Sequence, residues 1–350
     1  MVRLDQPYRN YAVDLLAPKF YPKDAGEPYD DISWELPANY HLTAVATADR
    51  RVRDAVLTPL SSPPHPMGHV QGSGPLFVLE DTGQEGLLEA RFRLARFKLE
   101  IAEQPFTANG VQYPRGSWIF PAQPGLQAAL AEAAASLGLD FASLSAHPVP
   151  PTHPAPVPRL GVWVPWADTD SIGWLRYSLD QRHIPYAYVR DEDIRKGNLN
   201  KKFDVIVYGH VDLELAEQIE GIPKAWGPMP FKKTAATPAF GTPAESDDIT
   251  GGIGYEGLAK LQQFIDGGGL MVTLGNSTML ALEGGLVRGV RRESGGVPRS
   301  SAGGGAASAA AAQNAETRTP GSELRVSIDR PDSPIVYGYP SHTYVFRQNY

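Results

Sequence analysis

The sequence predicts an α/β protein: a mixed α/β segment followed by a doubly wound parallel sheet of the flavodoxin-like kind. Three observations carry this. From Leu160 onward, apolar runs of strand length alternate with helical stripes. Before Ala146, strands and helices follow one another without a repeated unit. Between the halves, Ala146 to Pro158 is so dense in proline that it holds an extended backbone and excludes helix or central strand. The expected organisation is a mixed segment over 1–145, a proline-rich linker over 146–158 and an α/β domain over 159–350. A chain of 350 residues accommodates about two domains at roughly 100–200 residues each.

In the first half, Tyr8, Tyr11, Ala12, Leu15 and Leu16 share one helical face, and Pro7 suits a first helical turn. Leu76–Leu79 reads as a short buried strand. Leu88, Phe92, Ala95 and Leu99 form a helical stripe. Asn109-Gly110 between two extended runs signals a hairpin. Ser117–Phe120 is a strand. Leu126, Leu130, Ala133, Ala134 and Leu137 define a helix that stops at Gly138.

In the second half, Leu160–Val164 is a strand. Thr169 to Arg182 is a helix with Ile172, Leu175 and Leu179 on its buried face. Tyr186–Val189 and Val205–Tyr208 are the next strands. Leu258, Leu261, Phe264 and Ile265 mark a helix ended by Gly267-Gly268-Gly269. Leu270–Leu274 is a fourth strand, and Ser277 to Leu282 opens another helix. Residues 284–321 are rich in Gly, Ala and Ser and offer little to bury, which predicts a mobile insert. Tyr344-Val345-Phe346 reads as a late strand near a cut end.

Two sets of motifs resemble one family. Arg3-Leu4-Asp5-Gln6-Pro7-Tyr8, Leu15-Leu16, Pro28-Tyr29-Asp30-Asp31 and Trp34 resemble the stretch after the catalytic domain of large bacterial zinc carboxypeptidase-family proteins. Arg159–Trp163, Gly173–Arg176, Asp193–Leu199, Phe203–Val207, Gly251–Gly254 and Phe264–Leu274 resemble the glutamine-amidotransferase-like domain at the C-terminus of the same proteins. The resemblance implies a class I amidotransferase-like second half and a zinc-binding peptidase domain upstream of residue 1. It implies export or a periplasmic setting for the parent protein, although Met1–Tyr11 carries no apolar stretch of signal-peptide type.

Zinc in that family is held by His-x-x-Glu and a distant His, with a water position left open. Three residues after the eight histidines stand Ala44, Gly68, Gly72, Pro150, Pro156, Tyr186, Leu213 and Val345, and none is Glu. His65 and His69 have ligand spacing for a helix, but Pro63, Pro64 and Pro66 oppose a helix there, so a polar loop is the simpler reading. His147 and His153 fall in the linker and read as solvated. No zinc or other cofactor is therefore expected in this chain; zinc belongs to the upstream domain. Amidotransferase chemistry needs a cysteine on the strand-to-helix turn, here Leu274-Gly275-Asn276-Ser277-Thr278, and the sequence has no cysteine. Ser277 stands as a nucleophile only if a base is placed beside it; otherwise Asn276 or Ser277 caps the helix.

Parallel sheets bind ligands beyond the carboxyl ends of their strands. Those ends carry Trp166, Asp168 and Asp170, then His210 and Asp212, then Asn276 and Ser277. These are the candidate ligand-binding residues for a sugar-like or peptide-like molecule. The plainer reading gives Asp168, Asp170 and Asp212 to helix caps and Trp166 to packing. Asp30-Asp31 is an acidic pair or a helix N-terminus. Lys196, Lys201 and Lys202 with Asp191, Glu192 and Asp193 read as a solvated face.

A net charge of -7 argues against nucleic-acid partners and against a polybasic membrane patch. No run of about 18 apolar residues exists, so no membrane span is expected. The expected role is a non-catalytic accessory region that supports the upstream peptidase domain or binds substrate or partner. The alternatives are an independent carbohydrate- or peptide-binding module, and a hydrolase using Ser277 or His210.

Overall fold

The computed structural model describes residues 2–18, 35–65, 67–146, 150–290 and 322–347. The chain is α/β and divides into two compact units. One comprises Met1–Gln84, Leu99–Pro154 and Glu293–Tyr350, the other Glu85–Lys98 and Ala155–Arg292.

The first unit opens with α1 (Arg9–Leu16), α2 (Leu36–Asn39) and α3 (Arg50–Arg53). Helix α1 forms where its stripe predicts, but none of its residues is buried, and Tyr8 and Tyr11 are exposed. Strands β1 (Val70–Gln71) and β2 (Leu76–Leu79) follow, then α4 (Gly86–Arg93), which belongs to the second unit. The predicted stripe of α4 is corrected. Leu88 is 48% exposed, Leu87, Ala90 and Leu94 are buried instead, and the helix ends before Leu99.

Then come β3 (Glu100–Ala102), β4 (Phe106–Ala108), β5 (Val111–Tyr113), β6 (Trp118–Pro121), α5 (Leu126–Leu137), β7 (Phe141–Leu144) and β8 (Thr152–Pro154). Six strands form one mixed sheet in the order β1-β7-β2-β6-β3-β8, with β1 and β7 parallel and the other pairs antiparallel. Strand β2 is central and buried at every position, so an unbroken apolar run marked it in the sequence. Asn109 and Gly110 take φ of 51° and 77° between β4 and β5, the left-handed pair that a two-residue hairpin turn requires. Phe106 and Tyr113 stack across that hairpin at 5.0 Å and join Val78, Ile119 and Leu144 in one core. Helix α5 ends at Gly138, whose φ is 67°. Strand β8 is an edge strand inside the proline-rich stretch, where missing N–H groups are tolerated. His153 on it pairs with Glu103 at 3.1 Å rather than standing solvated in a linker.

In the second unit, β9 (Leu160–Trp163), α6 (Asp170–Gln181), β10 (Ala187–Val189), α7 (Asp191–Lys196), α8 (Leu199–Lys202) and β11 (Val205–Tyr208) are followed by α9 (Leu215–Glu220). A long irregular stretch then leads to α10 (Gly254–Asp266), β12 (Leu270–Thr273) and α11 (Thr278–Leu282). The four strands are all parallel, in the order β10-β9-β11-β12. Numbered within the unit, that order is 2-1-3-4. The core gathers Val162, Trp163, Ile172, Val189, Ile206, Tyr208, Leu261, Phe264 and Leu280. Leu286 also lies in this core, so the predicted insert over 284–321 begins too early. Residues 291–321 of that insert lie outside the described residues, as do Asp30, Asp31 and His147.

Tyr344-Val345-Phe346 does form a strand. It lies in β14 (His342–Arg347), paired antiparallel with β13 (Ser322–Ser327) in a two-stranded ribbon of the first unit. Among the described residues no helix is long and apolar enough to cross a membrane.

Candidate functional site

Because β9 to β12 are parallel, their carboxyl ends share one edge of the sheet, and the segments leaving them form the candidate site. Segment 164–170 leaves β9, Arg190-Asp191-Glu192 leaves β10, Gly209–Asp212 leaves β11 and Leu274–Ser277 leaves β12.

The structure brings most of the candidate residues together between β9, β11 and β12. Asp168 Oδ2 accepts from the Asp212 backbone N–H at 2.7 Å, which ties the loop after β9 to the loop after β11. Its Oδ1 accepts from Asp170 N at 3.2 Å. His210 Nδ1 accepts from the Asn276 backbone N–H at 3.0 Å. The ring's own proton therefore sits on Nε2, which donates to Asp212 Oδ1 at 3.1 Å. Asn276 Nδ2 donates to Leu213 O at 2.8 Å. Gly275 makes this approach possible: its φ is 62°, and a Cβ there would stand 2.4 Å from His210 Nδ1.

Ser277 faces the other way. It is fully buried, and its hydroxyl accepts from Leu274 N at 2.9 Å while lying 2.9 Å from the Tyr208 and Leu274 carbonyl oxygens. The hydroxyl closes the turn, and no hydrogen bond joins it to His210. Three capping expectations change as a result. Ser277 precedes α11 without a side-chain capping bond. Helix α9 is capped by Glu214 and Glu217, not Asp212. Asp170 stands exposed in the first turn of α6, where its charge meets the helix N-terminus.

Trp166 belongs to a second cluster beside β10. Its indole N–H lies 3.0 Å from both Glu192 carboxylate oxygens, and Ser246 donates to Glu192 Oε1 at 2.7 Å. The Arg190 guanidinium lies 3.8 Å over its ring, and Phe231 packs against it at 5.2 Å. Trp166 is thus engaged on its ring and on its N–H, which leaves little of it to serve as a platform for a sugar.

Asp191, read as part of a solvated face, is 2% exposed. It accepts from Trp163 Nε1 at 2.8 Å and from Trp166 N at 3.2 Å. The buried indole at the end of β9 needs an acceptor, and that need draws the carboxylate inward. Burial pushes the Asp191 carboxyl above the ordinary range, against the lowering effect of these two hydrogen bonds. Tyr208 stacks on Trp163 at 3.9 Å, and its hydroxyl is buried without a hydrogen-bond partner among the described residues. Burial, with Asp191 and Asp168 nearby, raises that phenol well above its usual value. Gln218 Oε1 is likewise buried and unpartnered among the described residues, while its Nε2 donates to Leu213 O and Asn276 O. Arg190, Tyr208 and Gln218 were not singled out from the sequence, and Asp191 was read only as part of a solvated face. Arg190, Asp191 and Tyr208 sit at strand ends, so the rule that selected the others also reaches these.

His65 and His69 lie exposed in a non-helical stretch, with His69 Nδ1 3.5 Å from Asp140 Oδ1. Among the described residues no group of three or more His, Asp or Glu is placed to hold a metal ion. Comparison with protein families, curated proteins and solved structures finds no match for this chain.

Proposed function

We propose that this chain is the post-catalytic accessory region of a zinc carboxypeptidase-like protein. Its second unit is then an amidotransferase-like domain of flavodoxin-like topology that binds a ligand and does not react with it. The strand order 2-1-3-4 supports the topology, since the flavodoxin-like sheet runs 2-1-3-4-5. The resemblance of the two motif sets supports the family.

The observation that carries the reading is Ser277. An amidotransferase presents its nucleophile at the turn after this strand, free to attack and beside a base. Here that turn holds a serine with no exposed surface, bound to backbone on every side. His210 is committed through both ring nitrogens, to Asn276 and Asp212. The polar groups at this edge are arranged to fix loops and to present binding surface. The expected partners are the upstream peptidase domain and a peptide-like ligand.

The test uses the purified chain, with and without added zinc. It follows release of C-terminal residues from a peptide panel and of ammonia from glutamine. No turnover is expected. Turnover abolished by Ser277→Ala or His210→Ala would overturn the accessory reading. An in-frame His-x-x-Glu and a later His encoded upstream of Met1 would support the family assignment independently.

A further inference from the structure

Arg190 is a buried cation at the carboxyl edge. It is 6% exposed, yet no carboxylate lies within salt-bridge reach of it among the described residues. Asp191 and Glu192 lie in its field, but Asp191 is bonded to the two tryptophans and Glu192 to Trp166 and Ser246. Among the described residues its guanidinium makes one hydrogen bond, from Nη1 to Val164 O at 2.9 Å, and Nε is buried with no partner. Its carbon lies 3.8 Å from the Trp166 ring centre and 4.5 Å from that of Tyr188. Arg176 continues the stack, 4.4 Å over Tyr188, and donates to the phenolic oxygens of Tyr188 and Tyr186 at 3.1 and 3.3 Å. Rings and guanidinium groups therefore alternate as Trp166, Arg190, Tyr188, Arg176.

Aromatic faces stabilise a guanidinium through its π surfaces but leave its N–H groups unsatisfied, because those point outward in its own plane. With Nη1 spent on Val164, the Nε–Nη2 edge remains, and it has the fork geometry that matches two oxygens of one oxyanion. Burying a charge without a counter-ion is strongly unfavourable unless something meets it. Arg176 adds a second positive charge to the same stack and, among the described residues, makes no salt bridge, while Asp180 interacts with the Tyr186 hydroxyl that Arg176 also contacts.

We propose that the Nε–Nη2 edge of Arg190, backed by Arg176, binds the oxyanion of a ligand, a carboxylate or a phosphoryl group. This rests on the ligand-binding reading above and names the chemistry of that ligand.

The test titrates the full chain with sodium phosphate and, separately, sodium acetate, against sodium chloride at matched ionic strength. The readouts are the Arg190 Nε–H signal in a ¹⁵N–¹H spectrum and tryptophan fluorescence. A saturable downfield shift of that N–H is expected with at least one oxyanion, and the preferred probe identifies phosphoryl or carboxylate. Arg190→Lys keeps the charge but loses the fork, and should weaken the fluorescence response about tenfold or more, the loss of one charge-assisted hydrogen bond. Arg176→Gln should weaken it less and keeps the variant set informative if Arg190→Lys folds poorly. No saturable response beyond chloride would overturn the proposal, as would a response undiminished in both variants. Enzymatic turnover in the earlier assay would refute the non-catalytic reading without touching this titration.

Discussion

Replacing Asp191 with Ala separates a buried acceptor from a surface ion pair. The substitution leaves two donors without partners, the Trp163 indole N–H and the Trp166 backbone N–H. Trp163 is fully buried, so its orphaned donor costs about 1–3 kcal/mol, and the partly buried Trp166 N–H falls at the lower end of that range. Against this, the variant no longer buries a carboxylate whose ionised form is disfavoured by desolvation. The net loss expected at neutral pH is about 2 kcal/mol, read by urea denaturation. The sign of the pH dependence is the sharper result. The folded-state pKa of Asp191 is raised, so the carboxyl's contribution is fully present below its unfolded value of 3.8 and is lost as pH rises through the folded value. The difference between wild type and Asp191→Ala should therefore grow as pH falls from neutrality toward 4. A surface ion pair, for instance with Arg195, would lower the pKa and make the difference shrink over the same range. A shrinking difference would falsify the buried-acceptor account.

Three further outcomes are expected. Gly275→Ala should cost about 2–3 kcal/mol, from a left-handed backbone at a non-glycine residue and loss of the Asn276 hydrogen bond, and should shift the His210 ring nitrogens in ¹⁵N spectra; unchanged shifts would contradict the close approach of this turn to the ring. The Arg159 guanidinium grips Asp204 through two bonds of 2.7 and 3.0 Å and holds its carboxyl down to about 2, so its stabilising effect is present above 3.8 and fades as pH falls toward 2; Arg159→Gln should return the NMR titration midpoint toward 3.8. Deleting residues 284–321 removes buried Leu286 and should cost about 2–5 kcal/mol, whereas a deletion starting at 291 spares it; equal thermal transitions for the two deletions would remove Leu286 from the core.

The second unit was legible because parallel strands are covered on both faces. Leu160–Trp163 and Val205–Tyr208 read as unbroken apolar runs, and the helices between them carry regular stripes. Strands β1, β3, β7 and β8 went unread for the opposite reason. They are two to four residues long and mix burial classes along their length. Their existence depends on partners far away in sequence, as with Glu100 opposite Pro154. In α4 the stripe was read one residue out of phase, since Leu87 and Leu88 are adjacent and only packing decides which is buried.

The candidate site was legible by position and illegible by orientation. Rules about strand ends located Asp168, His210, Asp212 and Asn276, and hydrogen bonds join all four. Arg190 and Asp191 fell within the same rule, but Asp191 was read with Glu192, Asp193 and nearby lysines as a solvated face and Arg190 was not singled out. Strand alternation separates them. Neighbouring residues of an extended chain point to opposite faces, so Arg190 follows Tyr188 to one side while Asp191 follows Val189 toward Trp163 on the other. Two opposite charges adjacent in sequence are thus buried apart, and each must be satisfied alone. Asp191 finds the Trp163 indole and a backbone N–H. Arg190 finds two aromatic rings and one carbonyl, and it keeps the one edge that takes an oxyanion.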